Sequence, residues 1–188
     1  MTDQESRPGT GDRPVTDAKS PIGAIVSSAH LAETSSVPAL SEVEFALILS
    51  SHAFSRWIVR GMGAVGHGGL APLEVLVLNA AYHRERDKTL ADLCLMLNVE
   101  DTHTVSYAIR KLESRGLVKA GRRGKEKTVA ITEEGARACE DYAEVREACL
   151  GRHVKALGLD PQALSDAAAL LRMLSGQYDQ AARAATSL

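Results

Sequence analysis

The chain has 188 residues, is 45% apolar, and carries a net charge of −2 with a pI of about 6.3. That length suffices for one buried core with or without a tail, and the slightly acidic balance excludes a protein that coats nucleic acid without specificity. Cys94, Cys139 and Cys149 form no CxxC pair, which argues against a disulfide framework or a zinc site.

Aromatics are only 4% of the chain, and the apolar residues are mostly Ala, Leu and Val at helical intervals, so the expected fold is mainly α. Residues 1–40 are rich in Ser, Thr, Pro, Gly and Asp, and the apolar patch at 22–26 is too small to build a core; they read as a flexible tail. No apolar run is long enough for a membrane span. The N-terminus lacks the basic-then-apolar pattern of a signal peptide, and a cytoplasmic location is expected.

Ser41-Glu42-Val43-Glu44 reads as a capping box that opens a long helix. Val43, Ala46, Leu47, Phe54, Trp57 and Ile58 keep a 3.6 period, while Phe45, Ile48 and Leu49 put apolar surface on other sides. A helix apolar around much of its girth calls for burial on more than one face, and hence for a partner subunit. Residues 61–69, rich in glycine, read as a flexible connector. Pro72 suits the first turn of the next helix, which carries Leu73, Leu76, Val77 and Ala80 on one face to about Tyr82. Residues 83–88 read as a loop.

Thr89 and Asp92 supply a second cap, Leu90, Leu93, Cys94 and Leu97 follow at helical spacing, and Asn98 suits a left-handed stop. Only three residues separate this helix from the run Val105, Ala108, Ile109 and Leu112, so the two form a helix-turn-helix. Beyond Gly116 the pattern becomes strand (117–120), glycine-framed basic loop (121–127), strand (128–131): a β-hairpin. Thr132 caps a long Ala-rich helix running to Gly158. Asp160-Pro161 opens the last helix, with Leu164, Ala168, Leu171, Leu174, Tyr178 and Ala182 on its apolar side.

Charge is distributed unevenly. Residues 102–127 hold eight basic side chains against two acids, a local net of +6. Opposite the apolar stripe of the second short helix lie His103, Ser106, Tyr107, Arg110, Lys111 and Ser114, and these, Ser114 aside, are with Thr104 the candidates to contact DNA, among them donors and acceptors suited to base edges in a major groove. Its N-terminal amides favour a phosphate. Arg122, Arg123, Lys125 and Lys127 read as a clamp on phosphates or the minor groove. The whole describes a reader of double-stranded DNA.

Residues 93–97, Thr104-Val105-Ser106, Lys111-Leu112-Glu113-Ser114-Arg115-Gly116-Leu117-Val118 and Ile131-Thr132-Glu133-Glu134-Gly135 resemble the MarR family of winged-helix regulators. The resemblance covers roughly residues 41–188. It implies an obligate homodimer built from the first and last helices, bound to pseudo-palindromic DNA and often released by a small anionic or aromatic effector. The corresponding organisation is a tail (1–40), dimerisation helices (41–62 and 133–188) and a winged-helix module (72–131). Residues 44–48 with 98–103 further resemble the LdtR-like branch of bacterial regulators linked to cell-wall remodelling and stress. Two features depart from the family pattern: Tyr107 stands where an Arg is frequent, and the wing lacks the Asp of a common Asp-x-Arg pattern.

His52, Arg56, Trp57, Tyr82 and His83 are candidates to line an effector pocket, with packing as the competing explanation. The cysteines in apolar helical segments read as core residues, and the histidines lie at no metal-ligand spacing. No nucleophile, base and oxyanion set is recognisable, so no enzyme activity and no cofactor is expected. Two rival readings are a dimeric protein-interaction module and a regulator switched by oxidation of Cys139 or Cys149.

Overall fold

The computed structural model describes residues 25, 26 and 28–188, with the Glu85 side chain excepted. Most of the expected tail lies outside the described residues. The chain divides into two compact units, Met1–Ala53 and Phe54–Leu188.

In the first unit, α1 (Ala29–Thr34) falls inside the stretch expected to be flexible. Ser28 caps it, its hydroxyl accepting from the Leu31 amide at 3.4 Å. The long helix α2 (Ala39–Ala64) begins before the expected capping box, and Ser41 sits buried in its first turn, where its hydroxyl donates to the Ser28 carbonyl at 3.4 Å. The box reading fails because Pro38 starts the turn: its carbonyl accepts from the Ser41 amide.

In the second unit, α2 also runs further than the glycine content suggests. Gly61 and Gly63 are helical. A Cβ on Gly61 would lie 2.6 Å from the Tyr142 ring, so this glycine serves close packing and not a flexible connector. Helix α3 (Pro72–Tyr82) starts where Pro72 predicts and is buried on several sides through Val75, Val77, Leu78, Ala80 and Ala81. It is the central helix, touching α4 (Leu90–Leu97), α5 (Thr102–Ser114), α6 (Glu133–Arg146) and β3 (Glu126–Ile131). A single apolar stripe is therefore too narrow an expectation for it.

Residues 83–88 are more ordered than a loop. A 3₁₀ turn, His83–Glu85, leads into β1 (Lys88–Thr89), which pairs with β3 to give the antiparallel order β1-β3-β2, with β2 at Val118–Arg123. Lys88 is 1% exposed, and its ammonium donates to the carbonyls of His83, at 2.6 Å, and Arg86. Burial first, then the Arg86 charge, hold this amine below the usual lysine range.

The helix-turn-helix forms as its local signals dictate. Thr89 and Asp92 cap α4 reciprocally, at 2.9 and 3.0 Å, and Asn98 stops it with φ 51°. Helix α5 buries Val105, Ala108, Ile109 and Leu112. Thr132 then fastens α6 to the end of the module: its hydroxyl donates to the Gly116 carbonyl at 2.7 Å and accepts from the Gly135 amide at 3.0 Å. A Cβ on Gly135 would come within 2.0 Å of the Leu117 carbonyl oxygen, which accounts for glycine there. After α6 the path passes through a π-helical turn (Glu147–Gly151) into α7 (Arg152–Ala156), and α8 (Pro161–Ala185) follows with Asp160 as its cap. Among the described residues no helix is long and apolar enough to cross a membrane.

Candidate nucleic-acid interface

With its apolar stripe turned inward, α5 leaves His103, Thr104, Tyr107 and Arg110 exposed and Ser106 half-buried. Tyr107 is 61% exposed and does not pack under the turn. The Arg110 guanidinium carbon lies 6.0 Å from the Tyr107 ring centroid, at the outer range of a cation–π contact. Two neighbours differ from expectation. The His103 amide at the start of α5 donates to the Asp101 carboxylate at 2.8 Å, so an acid already takes one of the amides at the helix N-terminus. Lys111, though on the same helix, directs its ammonium to the carboxylate of Glu74 at 2.9 Å.

The basic segment following α5 is strand almost to its tip. β2 and β3 pair from Val118↔Ile131 to Arg123↔Glu126, and a two-residue turn at Gly124 and Lys125 joins them. Gly124 has φ 64°, the left-handed value that primed hairpin turns require at their first position. Tight pairing explains why residues 121–123 and 126–127 are not the expected loop. It also sorts the cations by face, since side chains alternate along a strand. Arg122 lies directly opposite Lys127, whereas Arg123 lies opposite Glu126 and is paired with it at 3.3 Å. Lys125 stands at the tip.

Ala120, Arg122, Lys127 and Val129 share the face that looks toward α5. Together with Ser106, Arg110 and Glu113 of α5 they line a cavity of about 480 Å³. Three cations from three elements thus converge on one groove. Directly opposed like charges on neighbouring strands repel, so the Arg122 and Lys127 pair carries a local repulsion that a bound anion would relieve. The hairpin is braced midway along its length. The Thr128 hydroxyl donates to Asp87 at 3.1 Å, and a Cβ on Gly121 would strike both groups. Neither Asp87 nor the short strand β1 is recognisable from sequence as part of the wing, because two residues carry no periodicity.

The candidate effector residues are occupied differently. Trp57 packs on Tyr142 with ring centroids 6.3 Å apart, and the Tyr82 hydroxyl donates to Glu140 at 2.9 Å. His52 and Arg56 are exposed on α2, and His83 is exposed in the 3₁₀ turn. Cys94 and Cys139 are buried as expected, but Cys149 is exposed in the π-helical turn and is not a core residue. Burial, then the Glu140 charge, pushes the Cys139 thiol up to about 12, which suppresses the reactive thiolate. Among the described residues no group of three or more His, Cys, Asp or Glu is placed to hold a metal ion.

Helices α3, α4 and α5 followed by the β2–β3 hairpin define a winged helix. In agreement, the family described as "Winged helix DNA-binding domain" matches residues 70–135. Beyond this module, the chain is similar in structure to a MarR family transcriptional regulator from Rhodococcus sp. RHA1, with a TM-score of 0.58 and 19% identity over 71% of this chain and 91% of that one. It is also similar to CouR from Rhodococcus jostii RHA1 bound to p-coumaroyl-CoA (TM-score 0.60, 19% identity, 70% and 90% of the two chains). A third similar structure is AbfR of Staphylococcus epidermidis (TM-score 0.60, 17% identity, 74% and 93%). The expected fold is therefore met: the chain has the fold of MarR family regulators. No curated protein matches it in sequence. The likeness is one of fold and does not single out a branch of that fold.

Proposed function

We propose that this chain is a sequence-specific transcriptional regulator of the MarR type, binding a pseudo-palindromic DNA duplex as a homodimer. The observation that carries the reading is the convergence of Arg110, Arg122 and Lys127 on one groove beside the exposed face of α5, inside the stretch that matches a DNA-binding domain. In this reading α5 enters the major groove. His103, Thr104, Ser106, Tyr107 and Arg110 reach base edges, with Arg110 donating to a guanine. Arg122, Lys125 and Lys127 neutralise phosphates, Arg123 joining them to the extent that it leaves Glu126.

The dimer rests on a second feature. Helix α8 spans 25 residues, has no buried residue, and exposes Leu164, Leu170, Leu171 and Met173. An amphipathic helix whose apolar side is at most half-covered by its own chain, as at Ala168, Leu174 and Tyr178, finds the rest of its apolar cover on another copy. Residues 41–62 and 133–188 then form the dimerisation helices, and two copies of α5 address half-sites about 34 Å apart, or a multiple. A small anionic or aromatic effector would change that spacing, coupling the two equilibria by about 1–3 kcal/mol. Selection of duplexes from a random library by the full-length protein tests the reading. An enriched inverted repeat, bound with a steep salt dependence, supports it; no enrichment, or equal affinity for every duplex, refutes it.

A further inference from the structure

We infer that Lys111, its side chain half-buried, is a positioning residue for DNA reading, acting through an ion pair with the buried carboxylate of Glu74, and not a phosphate contact. This rests on the DNA-binding reading above. On a helical wheel Lys111 belongs with Tyr107 one turn before it, and by charge alone it would join the cations that meet phosphate. Its surroundings say otherwise. The ammonium lies 2.9 Å from Glu74 Oε1 and 3.4 Å from the Gly69 carbonyl oxygen. The Glu74 side chain is 4% exposed, and its second oxygen accepts from the Ala71 amide at 2.8 Å. The carboxylate is thus held by the first turn of its own helix, and Lys111 meets its other oxygen.

Such a pair does what apolar packing does not. The contact between α3 and α5 is otherwise made by apolar side chains such as Val75, Val105, Ala108 and Leu112, which interdigitate but make no directional bond. A charge-assisted bond to a carboxylate that is itself fixed has one geometry. Arg115 adds a second tether from the end of the same helix, donating to the Gly68 carbonyl at 2.7 Å. Lys111 and Arg115 together dock the C-terminal half of α5 onto the connector before α3. The outward angle of Tyr107 and Arg110 follows from that docking.

Two variants separate positioning from phosphate contact. Glu74→Gln removes no cation and retains an acceptor for the Ala71 amide. Lys111→Met keeps the aliphatic stem and removes the charge. Each is compared with wild type on a duplex enriched by the wild-type protein and on its scrambled counterpart, across a salt series, with thermal melts to confirm folding at the assay temperature. The expected result is a loss of preference for the enriched duplex of about tenfold in both variants. The salt slope should be unchanged, the double variant no worse than either single one, and Lys111→Arg close to wild type. A phosphate role predicts the opposite: Lys111→Met weakens both duplexes alike and lowers the slope by about 0.9, while Glu74→Gln keeps full preference. That result overturns the inference and leaves the regulator reading standing. Should Lys111→Met not fold, Glu74→Gln decides alone, since retained preference in that variant overturns the inference. A wild type that enriches no duplex overturns the regulator reading and this inference together.

Discussion

Helices α3 and α8 are both rich in Ala and Leu, yet they live in different surroundings. Of the 11 residues of α3, six are buried; of the 25 residues of α8, none is. Helical spacing is nearly silent on this contrast, because an apolar residue at helical spacing reports a face to be covered and not what covers it. The central helix is stabilised by its own chain. The C-terminal helix presents an apolar side for which a second copy is the proposed cover.

Mutations that trim each helix should sharpen the contrast. Leu78→Ala in α3 removes a side chain with no exposure and should lower the unfolding free energy by about 2–5 kcal/mol, read by urea denaturation. Gly135→Ala, which drives a methyl against the Leu117 carbonyl where α6 meets the module, should be next, at about 1–3 kcal/mol. Leu171→Asp in α8 should behave otherwise: the winged-helix core keeps its circular dichroism signature, while sedimentation shows the dimer dissociated and unfolding becomes independent of protein concentration. If Leu171→Asp unfolds the module as Leu78→Ala does, the two helices do not differ as argued.

Smaller effects test the module that α3 supports. Arg122→Ala and Lys127→Ala should each weaken selected and random duplexes alike, the salt slope falling by about 0.9 for each phosphate that is no longer neutralised. Arg123→Ala should do less, since its guanidinium already faces Glu126. The smallest effect concerns the cap of α4. The Thr89 amide first, then its hydroxyl, hold the Asp92 carboxyl below its ordinary value of 3.8. A depressed carboxylate contributes stability that is present above the unfolded-state value and disappears as pH falls through the folded one. Wild type should therefore lose stability more steeply than Asp92→Asn as the pH falls below about 4, as measured by thermal melts across an acid series.

How much is legible follows the range of each interaction. The caps of α4, the left-handed stop at Asn98 and the stripe Val105, Ala108, Ile109 and Leu112 are local signals, complete within one or two turns, and they appear where their residues stand. Helix α2 starts two residues before the expected Ser41, because Ser41 and Glu44 offer a cap that the Pro38 turn pre-empts. The tip of the wing reads as a loop because arginine and lysine at 122–127 lack β propensity, yet cross-strand bonds to a partner only a few residues away order them. Strand β1 has no sequence signal at all.

The sequence alone therefore determined that a helix-turn-helix and a basic hairpin follow one another, since helical period, capping and glycine turns are written in neighbouring residues. Tertiary structure decided which charges are available to a ligand. Three cations of similar appearance in the chain have three fates: Arg122 faces the groove opposite another cation, Arg123 is paired across the strands, and Lys111 is tied to a carboxylate 37 positions earlier. Charge acts through space at a few ångströms, and only folding sets which charges come that close.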